Sequence, residues 1–193
     1  MRIFLIKNFN PGVWMTCFVI FFLPLLLYLG SWQISRGFEK KEIWEAYSVN
    51  KTLTPLAEKE LSVYKKEDLI YRSVVIKGSY INQSFLLDNR IYRSKKGYEI
   101  FTPFKSESQK LYLINRGWTN DDAGYPFAAP EGNLHIEGII SPFEKYGLNL
   151  SKLKVSESFP VVLQELTYSL ASDLLGEEVN IENLVIHLSA ASE

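Results

Sequence analysis

The stretch GYEIFTPFKSESQKLYLINRGW, residues 97–118, decides the fold class. It holds two short runs, 98–104 and 111–115, rich in Tyr, Phe, Ile and Leu and separated by a polar segment. Short apolar and aromatic runs bounded by turn formers read as strands, whereas a helix would repeat its apolar positions every three or four residues. The pattern recurs at 71–76, 85–91, 134–140 and 161–164, with 185–188 as a last strand. Gly, Pro, Asn, Asp or Ser punctuates the gaps at spacings near the ~8–12 residues of sandwiches and barrels. The expected fold is therefore a mainly β body, an antiparallel barrel or sandwich-like domain with a few short helices. Residues 56–64 read as one short helix. Residues 166–175 read as another, with Leu166, Leu170 and Leu174 in register and Gly176 at its end.

Towards the N-terminus the pattern changes. VWMTCFVIFFLPLLLYL, 13–29, runs 17 residues without a charge. At 1.5 Å per residue it reaches about 26 Å, close to the ~30 Å hydrocarbon core of a bilayer. Pro24 is tolerated in a spanning helix. A cleaved signal peptide would have a shorter apolar region, roughly 7–15 residues, and a small-x-small cleavage site. This run instead ends in Tyr-Leu-Gly-Ser-Trp, so an uncleaved anchor is expected. The anchor is followed by FEKKEIWEAYSV, 38–49, an amphipathic helical segment with Ile43 and Tyr47 four apart. The expected division is an N-terminal segment at 1–12, a span at 13–30, a juxtamembrane helical segment at 31–66 and a β-rich body at 67–193. Bases flank the span on both sides, so charge alone leaves its orientation open.

Composition narrows the function classes. The 193 residues are 47% hydrophobic and 22% charged, which suffices for a packed core. Net charge is −1, which argues against broad electrostatic binding to nucleic acid. Residues 1–35 hold Arg2 and Lys7 and no acid, leaving 19 of the 21 bases against all 22 acids in the remainder. Cys17 is the only cysteine, so neither a disulfide framework nor a Cys-based metal site can form. The sequence contains no Gly-x-Ser-x-Gly, P-loop, His-Glu-x-x-His or Gly-x-Gly-x-x-Gly, and an enzyme is not expected. His135 alternates with Leu134 and Ile136 and is expected on a solvent face; His187 is expected to be hydrogen-bonded or exposed. Asp121 and Asp122 resemble a metal pair, but TNDDAG is turn chemistry.

Two polar segments look placed. LLDNR (86–90) and INRGW (114–118) each close an apolar run with Asn-Arg, as though at a strand end. An arginine is a planar fork of donors suited to carboxylates, so Arg90 and Arg116 could hold an anionic ligand or partner. They could equally serve the fold, with Arg90 paired to Asp88 or another acid, Gly117 in a tight turn and Trp118 covering one end of the core. In GYEIFTPF, Gly97 reads as a turn and Thr102-Pro103 as a strand end. At the bilayer boundary, LGSWQISRGFEKK (29–41) sets Gln33, Arg36 and Lys40 at offsets 0, 3 and 7, on one helical face. Trp32 sits where interfacial aromatics sit. That stripe suits anchor trim as well as docking.

Four of these stretches, in this order, resemble the Surfeit-locus-one (Shy-one) family of cytochrome c oxidase assembly proteins. They are Leu29-Gly30-x-Trp32-Gln33-x-x-Arg36-x-x-x-Lys40; Leu86-Leu87-Asp88-Asn89-Arg90; Gly97-Tyr98-x-x-x-Thr102-Pro103; and Asn115-Arg116-Gly117-Trp118. A later segment, PVVLQEL, also fits. The resemblance implies an all-β body held outside the inner membrane, the N-terminus inside. It implies a chaperone that helps haem a reach the catalytic subunit of a haem-copper oxidase, with subunit I and haem a synthase as partners. It also implies that the motif residues, including Asn89, Tyr98 and Thr102, form interaction surface. Family members carry a second, C-terminal membrane helix with a haem-linked histidine; this sequence stops at Glu193 without a second apolar run. A truncated or divergent member is expected, His187 does not correspond, and no haem ligand carries over. The N-terminus lacks an Arg/Ser-rich transit peptide, so a bacterial member, in the inner membrane, is expected over a mitochondrial one. From a different class, the runner-up reading is a membrane-tethered β-barrel that binds a small apolar ligand, unrelated to respiration.

Overall fold

The computed structural model describes residues 11–120, 128–143, 159–176 and 181–189. Asp121 and Asp122 lie outside them. The chain divides into two units, Met1–Ala46 and Tyr47–Glu193. The first consists, among the described residues, of most of helix α1 (Gly12–Thr52), one continuous helix of 41 residues that passes through Pro24. The expected span and the expected amphipathic segment thus lie on a single helix of about 60 Å. Its best 18-residue window has a mean hydropathy of 2.2 and none of it is buried. It is long and apolar enough to cross a membrane. Beyond the apolar part, Arg36–Glu39 at 2.9 Å and Lys41–Glu45 at 3.6 Å pair along the helix surface.

The second unit is built of strands. In chain order it has β1 (Leu56–Ala57), a 3₁₀ turn (Glu58–Val63), α2 (Lys66–Leu69), β2 (Ser73–Tyr80), β3 (Phe85–Tyr92), β4 (Lys95–Ser106), β5 (Leu111–Asn120), β6 (Leu134–Ser141), β7 (Val161–Leu163), α3 (Tyr168–Leu175) and β8 (Ile181–Leu188). The short helix expected at 56–64 is instead a strand followed by a 3₁₀ turn. Leu56 and Ala57 spend their backbone bonds on β2, in parallel register with Val74 and Val75. The Glu60 carboxylate then accepts from Ala57 N at 2.7 Å and starts the turn.

The sheet closes on itself. Its order is β1-β2-β6-β8-β5-β4-β3-β7, and β2 also pairs with β4, so that β2, β6, β8, β5 and β4 form a ring. Closure removes edges that would otherwise lie open to pairing. Strand β4 makes it possible because it is long enough to change partner. Its first part pairs with β3, as in Phe101↔Phe85, and its last part with β2, as in Phe104↔Tyr80. Thr102 and Pro103 sit at that change, in mid-strand and not at the strand end expected. The Pro103 carbonyl accepts from Ile81 N at 2.8 Å, and the missing proline N–H falls on the same side, where one partner gives way to the next. Thr102 is fully buried and shares a hydrogen bond of 2.8 Å with Ser84 Oγ.

Two apolar clusters share the strands. Val74, Ile76, Phe104, Tyr112, Ile114, Ile136, Ile140 and Ile186 fill one. Phe85, Phe101, Leu111, Leu113, Val161, Val185 and Ala171 of α3 fill the other. Alternate residues of β5 and β8 therefore enter different clusters, which explains why LYLI and LVI read as unbroken apolar runs. Helix α3 ends at Gly176, φ +101°, as its sequence predicts, but it starts two residues later than expected, where Thr167 Oγ1 caps it by accepting from Leu170 N at 3.3 Å.

Candidate functional site

The two Asn-Arg segments are β-bulges, not strand ends. On β3, Leu87 faces Glu99 and Arg90 faces Gly97, so Asp88 and Asn89 together oppose the single residue Tyr98. On β5, Asn115 faces Phe101 and Trp118 faces Glu99, so Arg116 and Gly117 together oppose Ile100. Both bulges press on the same few residues of β4 from opposite sides. A bulge inserts one residue, bends its strand and re-aims its side chains. Gly117 takes φ +103°, a conformation that costs other L-residues, so the glycine serves a bulge where a turn was expected. The Asn115 carboxamide oxygen accepts from Gly117 N at 2.8 Å and holds the bulge from within. The backbone of Asn89 lies in β3, while its side chain is outside the described set.

Glu99 is the centre of this arrangement. Its carboxylate lies 3.6 Å from Arg90 Nε and accepts from Asn115 Nδ2 at 3.3 Å. The Arg90 and Glu99 side chains are 25% and 27% exposed, so the pair is partly shielded from water. The Trp118 indole N–H donates to the Arg90 carbonyl at 3.0 Å, tying one bulge to the other across β4. Gly97 lies under that bond. A Cβ there would stand 2.0 Å from the Thr119 carbonyl and 2.6 Å from the Trp118 ring. Gly97 is thus a buried strand residue, not the expected turn; its missing side chain makes room for the indole. The actual turn joining β3 to β4 is Arg93–Ser94, at φ +47° and +63°.

The structure therefore brings together Arg90, Gly97, Asn115, Gly117 and Trp118, with Tyr98 half-buried on the same part of β4. It sets Arg116 apart. Its guanidinium lies 5.5 Å from the Tyr80 ring centroid and donates to the Ala128 carbonyl at 3.3 Å. Thr102 and Pro103 serve barrel closure instead. Trp32, Gln33, Arg36 and Lys40 belong to α1, where all four are exposed.

Glu99 was passed over in the sequence, although it is the only acid between Asn89 and Ser106. A lone charge inside an apolar strand was the available signal.

A second polar cluster was missed as well. Glu58 accepts hydrogen bonds from Ser108 and from the Tyr112 hydroxyl, the latter at 3.3 Å. Burial pushes the Tyr112 hydroxyl well above its ordinary 10.0; the charges of Glu58 and Glu182 and the Glu58 hydrogen bond push further. Beside it lies a cavity of about 200 Å³ lined by Leu61, Tyr64, Leu69, Lys110 and Glu182.

Neither cluster is arranged as a nucleophile with its base, and among the described residues no group of three His, Cys, Asp or Glu side chains gathers to hold a metal. His135 is exposed on β6, as its alternation predicts, and His187 is half-buried on β8. What the Glu99 node offers is a rigid surface with aromatic and guanidinium groups in set positions.

The family model described as "SURF1 family" matches residues 20–190. The chain belongs to the SURF1 family. Among characterised relatives, "Cytochrome oxidase assembly protein SHY1" of Saccharomyces cerevisiae is 31% identical over 122 residues, covering 61% of this chain and 30% of that protein. A "SURF1-like protein" of Rickettsia conorii is 31% identical over 189 residues, covering 91% of this chain and 77% of the other. One of Rickettsia prowazekii is 31% identical over 167 residues, with 84% and 65% covered. This SURF1-family chain thus spans under a third of the yeast relative's length, 77% of the Rickettsia conorii relative's and 65% of the Rickettsia prowazekii relative's.

Proposed function

We propose that this chain is a membrane-anchored assembly factor for a haem-copper cytochrome c oxidase. The observation that carries the reading is the family match over residues 20–190, together with a yeast relative named for oxidase assembly. In this reading α1 spans a bacterial inner membrane once, with the N-terminus cytoplasmic and the barrel periplasmic. The barrel is a holding surface for polypeptide, with oxidase subunit I and haem a synthase as its partners, and it assists haem a delivery without chemistry of its own.

Haem a is cargo here. An enclosing haem site needs an axial ligand and a pocket at the upper end of the ~300–1,000 Å³ range of ligand pockets. Among the described residues the body offers an exposed His135, a half-buried His187, a cavity of about 200 Å³ and an open, histidine-free depression of about 470 Å³ lined by Gly78, Ser79, Lys105 and Asn133. These residues do not fit the group, and no step is assigned through it.

The decisive experiment deletes the gene and records membrane spectra and oxidase activity. Loss of haem a absorbance and of activity, with haem b intact and restored by the intact gene, is the expected result. Normal oxidase with altered handling of some other small molecule would refute the assembly role.

A further inference from the structure

The tip of the β3–β4 hairpin has no role in the Glu99 node, yet its composition is unlike the rest of the body. Six consecutive residues, Ile91 to Lys96, are exposed, with Ile91 at 70% and Tyr92 at 51%. Between Asn89 and Tyr98 there are four bases and no acid, in a chain whose last 158 residues carry 19 bases against 22 acids. Arg90 is taken by Glu99. Arg93, Lys95 and Lys96 remain at the tip, with Arg93 5.2 Å from the Tyr92 ring centroid.

The turn itself is unusual. Two-residue hairpin turns with positive φ at both positions favour Asn-Gly, and other L-residues are strained there. Arg93 and Ser94 occupy them nonetheless, placing a base at the outermost point of the hairpin. The tip is also firmly mounted. The Tyr92 ring lies 5.5 Å from that of Trp118, whose indole is bonded to the Arg90 carbonyl across Gly97.

We propose that this hairpin tip is a second membrane contact, docking on the headgroups of anionic phospholipid. Bases near such a surface are drawn to it by its negative potential. Ile91 supplies an apolar group to insert, and Tyr92 is the amphipathic ring that settles at headgroup depth. A chain bearing a helix able to cross a bilayer keeps its body near lipid at high effective concentration, so even weak contact is populated. Six residues on a narrow protrusion are too few for a stable protein partner, which takes roughly 20–30 residues a side. An acidic protein surface is the competing occupant.

The test uses the full chain carrying Cys17→Ser, reconstituted in phosphatidylcholine vesicles with or without about one third phosphatidylglycerol. A nitroxide is placed at Ser94→Cys and, as a reference, at the exposed Glu131→Cys. Power-saturation spectroscopy then compares access by oxygen with access by a water-soluble nickel chelate. The Ser94 label is expected to move several-fold towards oxygen access in the anionic vesicles, while the Glu131 label stays aqueous. High salt, the triple reversal Arg93→Glu/Lys95→Glu/Lys96→Glu and the separate Ile91→Ser each should reverse the shift without changing the melting temperature. A Ser94 label that is aqueous in both compositions overturns the proposal, as does immersion that survives the triple reversal. Cross-linking of an aqueous tip to an acidic polypeptide would assign it to a protein instead.

Discussion

The two Asn-Arg segments look alike in sequence and are both β-bulges against β4, yet their arginines do opposite things. Arg90 turns towards Glu99 and closes a three-strand polar node; Arg116 turns away from it, to Tyr80 and the Ala128 carbonyl. The difference follows from what comes next in each chain. After Arg90 the strand resumes at once through Ile91 and Tyr92, whereas after Arg116 a glycine at φ +103° completes the bulge. The bulge, more than the arginine, sets the direction of each guanidinium. One serves the fold directly, and the other is held at the surface by fold elements that do not depend on it.

That contrast can be broken most sharply at Gly97, which faces Arg90 on one side and lies against the Trp118 ring on the other. Gly97→Ala forces a methyl into the Thr119 carbonyl and the Trp118 ring and should cost about 3 kcal/mol, the top of the range for overpacking. Thermal unfolding of the purified full chain would read it, and an unchanged melting temperature would refute the account of the node.

Glu99→Ala is next. It removes the carboxylate that pairs with Arg90 and accepts from the Asn115 amide, in a partly shielded site, and should cost about 2 kcal/mol by denaturant titration. A loss equal to that of an ordinary surface acid, within ~0.5 kcal/mol, would mean that the node is ornamental.

Arg116→Ala gives up a ring contact and a bond to one carbonyl and should cost only about 1 kcal/mol. Arg116→Lys should cost less still, while losing the planar fork. If Arg116 meets a partner, oxidase assembly should fall in Arg116→Lys although its melting temperature holds. Full activity in a folded Arg116→Ala chain would remove Arg116 from the interaction surface.

The smallest effect is silent at neutral pH. Tyr112 keeps its proton in the fold well above its ordinary 10.0, while the unfolded chain releases it near that value. The unfolded state then binds fewer protons, so stability from this group is complete below about pH 10 and falls as pH rises beyond it. Tyr112→Phe should flatten that alkaline slope in urea titrations, in contrast to Glu99→Ala, whose slope should stay as in the parent.

Much of the architecture was legible because the physics behind it is local. The apolar run at 13–29, the β-favouring runs, exposed His135 and the glycine that ends α3 at 176 each follow from neighbouring residues. A barrel was one of the two expected architectures, but the step that closes it, β4 exchanging β3 for β2, was not legible, because it is a non-local event. For that reason Pro103 looked like a stop when it marks an exchange of partners. The bulges were hidden for a related cause. Asn, Arg and Gly after an apolar run are turn chemistry in isolation, and only the register of the neighbouring strand shows one extra residue instead of a reversal. The real turn carries Arg93 and Ser94, which no turn rule favours, while Gly97 answers to an indole 21 residues later.

The place of β8 in the ring has a consequence for how the chain is made. Residues 181–188 lie between β5 and β6, parallel to one and antiparallel to the other. A ribosome adding residues in order delivers six of the eight strands before β7, and all seven before the one that fills this gap. Until residue 188 is free, β5 and β6 each present a row of unpaired backbone groups beside apolar side chains, the combination that invites wrong pairing. The ring can thus close only after residue 188 has been delivered, and until then its open edges are exposed to mispairing.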